Sequence, residues 1–163
     1  MAMLTQLITI LEDEVQLGEL LLHNLAAQKE SILAWNSSTL LIHIEEKEHL
    51  VRKLAEMEEK RQTSVRRLLR AHGALDADDT PALKTLLAQL PPTPHTAALE
   101  HLQQRTWKIY NRLRAGEKQL TSLMGILLNH VSEALGSLTP PPRMTLYGGK
   151  GVLTAGRPAP GFL

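Results

Sequence analysis

Residues 94–138 read PHTAALEHLQQRTWKIYNRLRAGEKQLTSLMGILLNHVSEALGSL. Within them Leu99, Leu102, Thr106, Ile109, Leu113, Gly116, Leu120, Leu123, Leu127, Val131, Ala134 and Leu138 follow one another at steps of three and four. That spacing keeps one stripe on one side of a 3.6-residue helix. Thr93 supplies a cap and Pro94 suits the first helical position. These 45 residues at ~1.5 Å each make a rod of roughly 65–70 Å. A rod that long buries little of its length inside a compact ball of 163 residues. It is therefore either one arm of an elongated antiparallel bundle or a helix with part of its stripe reserved for a partner.

Two further long helices flank this rod in sequence. Leu4, Ile8, Leu11, Val15, Leu22, Leu25 and Ile32, with Gly18 in step, predict a helix over about 4–34. Leu7, Leu17, Leu20 and Leu21 widen its stripe enough for more than one neighbour. Trp35-Asn36-Ser37-Ser38 breaks it, with Ser37 or Ser38 as the next cap. The second helix spans about 39–72 and stops at Gly73. It is apolar at both ends (Leu40, Leu41, Ile42, Ile44; Val65, Leu68, Leu69). Through its charged middle it keeps only the narrow stripe Leu50, Val51, Leu54 and Met57. Thr80-Pro81 opens a short connector helix over about 81–90, which Pro91-Pro92-Thr93-Pro94 ends. The expectation is an all-α chain. Residues 1–138 form an elongated antiparallel bundle of three long helices with a short connector helix. Residues 139–163 form a flexible tail.

Composition agrees with this reading. Leucine fills 32 of 163 positions while the aromatics are only Trp35, Trp107, Tyr110, Tyr147 and Phe162, a balance that suits packed helices rather than sheets. Of the 25 residues after Leu138, 5 are Pro and 5 are Gly, and Arg143, Lys150 and Arg157 meet no acid. Such a segment has too few apolar groups to fold alone. The whole chain carries +1, so the helical body carries −2. That balance gives no reason to expect nucleic acid as a partner. The N-terminus lacks a basic region ahead of Glu12-Asp13-Glu14, and no run of about 18 apolar residues exists. The expectation is a cytoplasmic protein without membrane insertion.

Chemistry finds little footing. The absence of cysteine removes disulfides, thiolate metal sites and a cysteine nucleophile. Glu46-Lys47-Glu48-His49 holds a Glu-x-x-His pair, but di-iron bundles need two such motifs and two further inward carboxylates. His43, His72, His101 and His130 stand singly on helices. Gly148-Gly149-Lys150-Gly151 lacks the Ser/Thr, the preceding strand and the following helix of a phosphate loop. Arg66, Arg67 and Arg70, with Lys60 and Arg61, read as a solvated face without the aromatics that stack on bases. No catalytic residue, metal site or cofactor is expected. The informative residues are instead Trp107, Ile109, Tyr110, Leu113, Leu120, Leu123, Met124 and Leu127. They form either core against the first two helices or a surface for an amphipathic helix of another protein. Tyr147 stands in the tail, flanked by Leu146 and glycines. It is either incidental or the aromatic anchor of a short docking motif.

Lys29-Glu30 with Ile32-Leu33, then Leu40, Lys47-x-x-Leu50-x-x-x-Leu54 and Arg61 resemble the first two helices of FlgN-type flagellar export chaperones. Leu146-Tyr147-Gly148-Gly149-Lys150-Gly151 is similar to that family's C-terminal Tyr-x-x-x-Gly signature. The connector is longer than the family pattern, and twelve residues follow Gly151. The resemblance, over roughly residues 4–151, implies a non-enzymatic cytoplasmic chaperone. Its partners would be the hook-associated (hook–filament junction) proteins, whose C-terminal helical segments it keeps unassembled, and the export gate protein of the flagellar type III apparatus. By the same resemblance the 107–127 stripe would hold substrate and Tyr147 would dock on the gate. The rival reading is a coiled-coil scaffold in which two copies pair as a homodimer through the 94–138 heptads.

Overall fold

The computed structural model describes residues 2–73 and 82–138. Four helices account for them: α1 (Ala2–Leu33), α2 (Ser37–Ala71), α3 (Leu83–Gln89) and α4 (Pro94–Leu138), with no strand among the described residues. The chain divides into two compact units, Met1–Met124 and Gly125–Leu163.

Local signals set the helix ends. α1 closes with Asn36 N–H donating to Ser31 O at 2.9 Å and Trp35 N–H to Ile32 O at 3.1 Å. These are the paired bonds of a Schellman motif, which needs a left-handed residue after the helix. Trp35 fills that place with φ +54°, where glycine is the usual occupant. The next residue starts α2: Asn36 Oδ1 accepts from Thr39 N–H at 3.1 Å. The cap is therefore Asn36 and not Ser37 or Ser38, because the tight Schellman turn leaves Asn36 outside the helical region, at φ −94° and ψ 86°. Gly73 (φ +67°) ends α2 as expected. α3 starts after Ala82 without a side-chain cap; Thr80 and Pro81 lie outside the described residues. Thr93 Oγ1 accepts from Thr96 N–H at 3.2 Å, and Pro94 is the first residue of α4.

In the first unit the contacts fix helix direction. Glu14 pairs with Arg61, and Asn24 bonds the carbonyl of His43, so α1 and α2 run antiparallel. Gly18 faces Ile109 and Leu25 faces Gly116, a constant offset of 91 residues, so α1 and α4 run parallel. By that offset Leu33, the last residue of α1, is level with Met124. Leu7, Leu11 and Val15 of α1, Val65, Leu68 and Leu69 of α2, Leu83 and Leu86 of α3, and Leu99, Leu102 and Ile109 of α4 share one core. Burying each such leucine contributes about 1.5–3 kcal/mol, so this end carries most of the unit's stability. α2 departs from expectation at its start. Leu41, Ile42 and Ile44 in its first turns are exposed because they lie away from this core, and so is Val51 of its middle stripe.

Beyond the core the α1–α2 seam turns polar. Asn24, Gln28 and Ser31 are all buried on α1. Gln28 donates to Asn24 Oδ1 at 2.6 Å, and Asn24 donates onward to His43 O at 2.9 Å. Ser31 bonds Ala27 O. Pairing of this kind removes the penalty of burying amides.

The second unit is described over Gly125–Leu138, all of it helical. Its apolar residues Ile126, Leu128, Val131, Leu135 and Leu138 are exposed. No described helix is long and apolar enough to cross a membrane.

Candidate functional site

Within the first unit the α4 stripe loses cover along its length. Leu99 is 0% exposed and Ile109 6%, whereas Leu113, Leu120 and Leu123 are half-covered. A periodic stripe is normally buried evenly, so the trend marks where apolar surface is left over.

The stripe residues singled out by sequence divide accordingly. Ile109 is core: its Cγ2 would stand 2.5 Å from a Cβ on Gly18. Leu113 packs half-buried against the same core. Leu120 and Leu123 are half-covered, and Met124 is exposed. Leu127 is half-covered within the second unit. Trp107 is 67% exposed. It sits a third of a helical turn beyond the edge of the stripe, so it stands apart from the other seven. Tyr147 lies outside the described residues.

Tyr110 borders an ionic group that sequence reading missed. Glu14 is 2% exposed, and its carboxylate accepts from Arg61 Nε at 2.9 and 3.1 Å. Arg61 also approaches Glu58 Oε1 at 3.7 Å. Arg61 thus leaves the solvated basic face assigned to it and turns inward. Burial pushes the Glu14 carboxyl above its usual range, against the lowering pull and hydrogen bonds of Arg61. Burial also raises the Tyr110 hydroxyl, helped by the negative charges of Glu14 and Glu58. A buried acid paired across two helices fixes their register. Its only sequence signal was Glu14 falling three residues after Leu11, on the apolar side of α1.

Polar groups on and beside the stripe are partly satisfied. Glu117 forms an ion pair with Lys47 of α2. Thr106 Oγ1 is buried without a hydrogen-bond partner.

Between α1 and α4 runs a groove of about 230 Å³. Its floor is Leu22, Leu25 and Leu120, and it is open because Ala26 and Gly116 bring little side chain into it. A second groove, between α1 and α2, sets Leu20, Ala27 and Leu50 among His23, His43 and His49. Glu46 of the Glu-x-x-His pair there bonds His43 and Asn24. No group of three or more His, Asp or Glu among the described residues is arranged to hold a metal ion. The α1–α4 trough, an apolar floor between two helices, is suited to accept side chains of another helix.

Compared with known families, the chain matches the FlgN family, described as FlgN protein, over residues 1–155. No curated protein and no solved structure matches it.

Proposed function

The chain belongs to the FlgN family of flagellar export chaperones, and on that premise we propose that it binds C-terminal helical segments of hook-associated proteins in the cytoplasm. It keeps them from assembling early and delivers them to the export gate of the flagellar type III apparatus. The observation that carries this reading is the apolar surface that α4 leaves incompletely covered in the first unit: Leu120 and Leu123, half-covered, and Met124, exposed. A segment that polymerises through an amphipathic helix is held in check by a surface that supplies its missing apolar side. Trp107 and Tyr110 offer aromatic contacts further towards the N-terminal end of α4. Leu113 and Ile109 act by seating α4 on its core. Tyr147 is the docking residue for the gate.

Pull-down of the full chain with hook-associated proteins of the same source tests the reading. A defined complex is expected, lost in Leu120→Asp with Met124→Asp and retained in Tyr147→Ala, which instead fails to co-purify the gate protein. No complex with wild type would overturn it.

A second reading has one observation in its favour. Leu128, Val131, Leu135 and Leu138 are exposed at 3-4-3 spacing in the second unit, the seam of a coiled coil. Two copies would pair there as a homodimer. Light scattering that gave twice the 18.1 kDa chain mass in the absence of substrate would support it.

A further inference from the structure

We propose that the groove between α1 and α4 seats a partner helix whose apolar side is flanked by carboxylates, an inference that rests on the chaperone reading and specifies which side of α4 is used. The floor of Leu22, Leu25 and Leu120 accepts apolar side chains, and Ala26 and Gly116 leave the depth for them. A Cβ on Gly116 would meet only the end of the Leu25 side chain, at 3.1 Å. The gap is thus set by two small residues, not by loose packing of α1 on α4. At the core end Arg105 of α4 pairs with Glu19 of α1 at 2.6 Å.

Charge indicates the occupant. Lys29 is exposed at the groove's α1 edge. Arg112 is exposed on α4 seven residues after Arg105, so it lies on the face that meets α1, two turns closer to the groove. Among the described residues neither cation has an acid within ion-pair distance, whereas Arg105 is already neutralised by Glu19. Nor does an acid stand three or four residues from either one, the positions that would neutralise it along its own helix. An apolar trough lined by one unpaired cation, Lys29, with a second, Arg112, one turn before Gly116, is complementary to a helix with acids beside its apolar stripe.

The probe is the purified C-terminal segment of whichever hook-associated protein the wild-type chain captures, with binding followed by calorimetry. If wild type binds none, the chaperone reading itself fails. Given wild-type binding, Ala26→Leu fills the trough and should weaken affinity at least about tenfold. Lys29→Glu with Arg112→Glu, which alters no packed side chain, should weaken it about tenfold and remove its dependence on salt. Replacing the segment's Asp and Glu by Asn and Gln should weaken binding to wild type and not to the double variant. Wild-type affinity in both the Ala26→Leu and the double variant would overturn the proposal. So would loss of binding confined to Leu41→Asp with Val51→Asp, which would place the partner along α2. Should Ala26→Leu prove misfolded by circular dichroism, the charge-reversed variant decides alone.

Discussion

Gly18 of α1 and Ile109 of α4 are in direct apposition: a single added carbon on Gly18 would stand 2.5 Å from Ile109 Cγ2. The neighbour is β-branched and stiff at χ1, and it is held in the core. Gly18→Ala should therefore destabilise the chain by about 1–3 kcal/mol, despite alanine's better helix propensity. Gly125→Ala is the control. Nothing lies within 4 Å of its would-be Cβ, so it should stabilise by about 1 kcal/mol. Thermal melts of the two variants should move in opposite directions, by ~2–4 °C per kcal/mol. A rise for both would mean that α1 and α4 are not in close contact at Gly18.

Glu14 predicts a pH signature. Its folded pKa is raised above the unfolded value by burial, so the folded state binds the proton more tightly. Stability from this group is highest below the unfolded carboxyl range. It falls as pH rises through that range to the raised folded value, then is level. Glu14→Gln removes that fall. The melting temperature of the variant minus that of wild type should increase from about pH 4 towards neutrality. A difference that decreases instead would show attraction to Arg61 outweighing burial.

Thr106 carries a buried hydroxyl without a partner. Valine keeps the shape and β-branching and removes the unmet polar atom. Thr106→Val should stabilise by about 1 kcal/mol, read as a shifted urea midpoint at unchanged slope. A loss of stability would show that the hydroxyl has a bound water to satisfy it.

Trp35 occupies a left-handed position at the α1–α2 turn with most of its indole in solvent. The backbone conformation costs a non-glycine residue roughly 1–2 kcal/mol, and little burial offsets it. Trp35→Gly should hold stability or raise it by up to about 1 kcal/mol. A clear loss would show that the indole makes contacts the turn depends on.

Periodicity located the three long helices, because steps of three and four such as Leu99 to Leu138 have no other regular solution. It put Gly18 and Ile109 each on a stripe but could not bring them face to face, since that depends on the offset between two helices 91 residues apart. Glu14 looked like one more acid in Glu12-Asp13-Glu14, because its partner Arg61 is 47 residues away. Asn36 lost out to Ser37 and Ser38 as a cap because the Schellman turn was hidden by a tryptophan where glycine is usual. For the candidate site the stripe was legible and its cover was not. Identical leucine spacing runs through Leu102 and Leu120, but only the packing of α1, α2 and α3 decides which is buried.

Declining cover along α4 also sets how the helix opens. Amides near Leu99 are shielded by a core that yields only when the unit unfolds as a whole, whereas the turns after Met124 rest on backbone hydrogen bonds exposed to water. Hydrogen exchange should therefore accelerate stepwise towards Leu138, with free energies of opening that run from the global value down to fraying. On the proposed reading, a segment held on those turns would leave by local melting of its own foothold, on a timescale independent of the slow unfolding of the core.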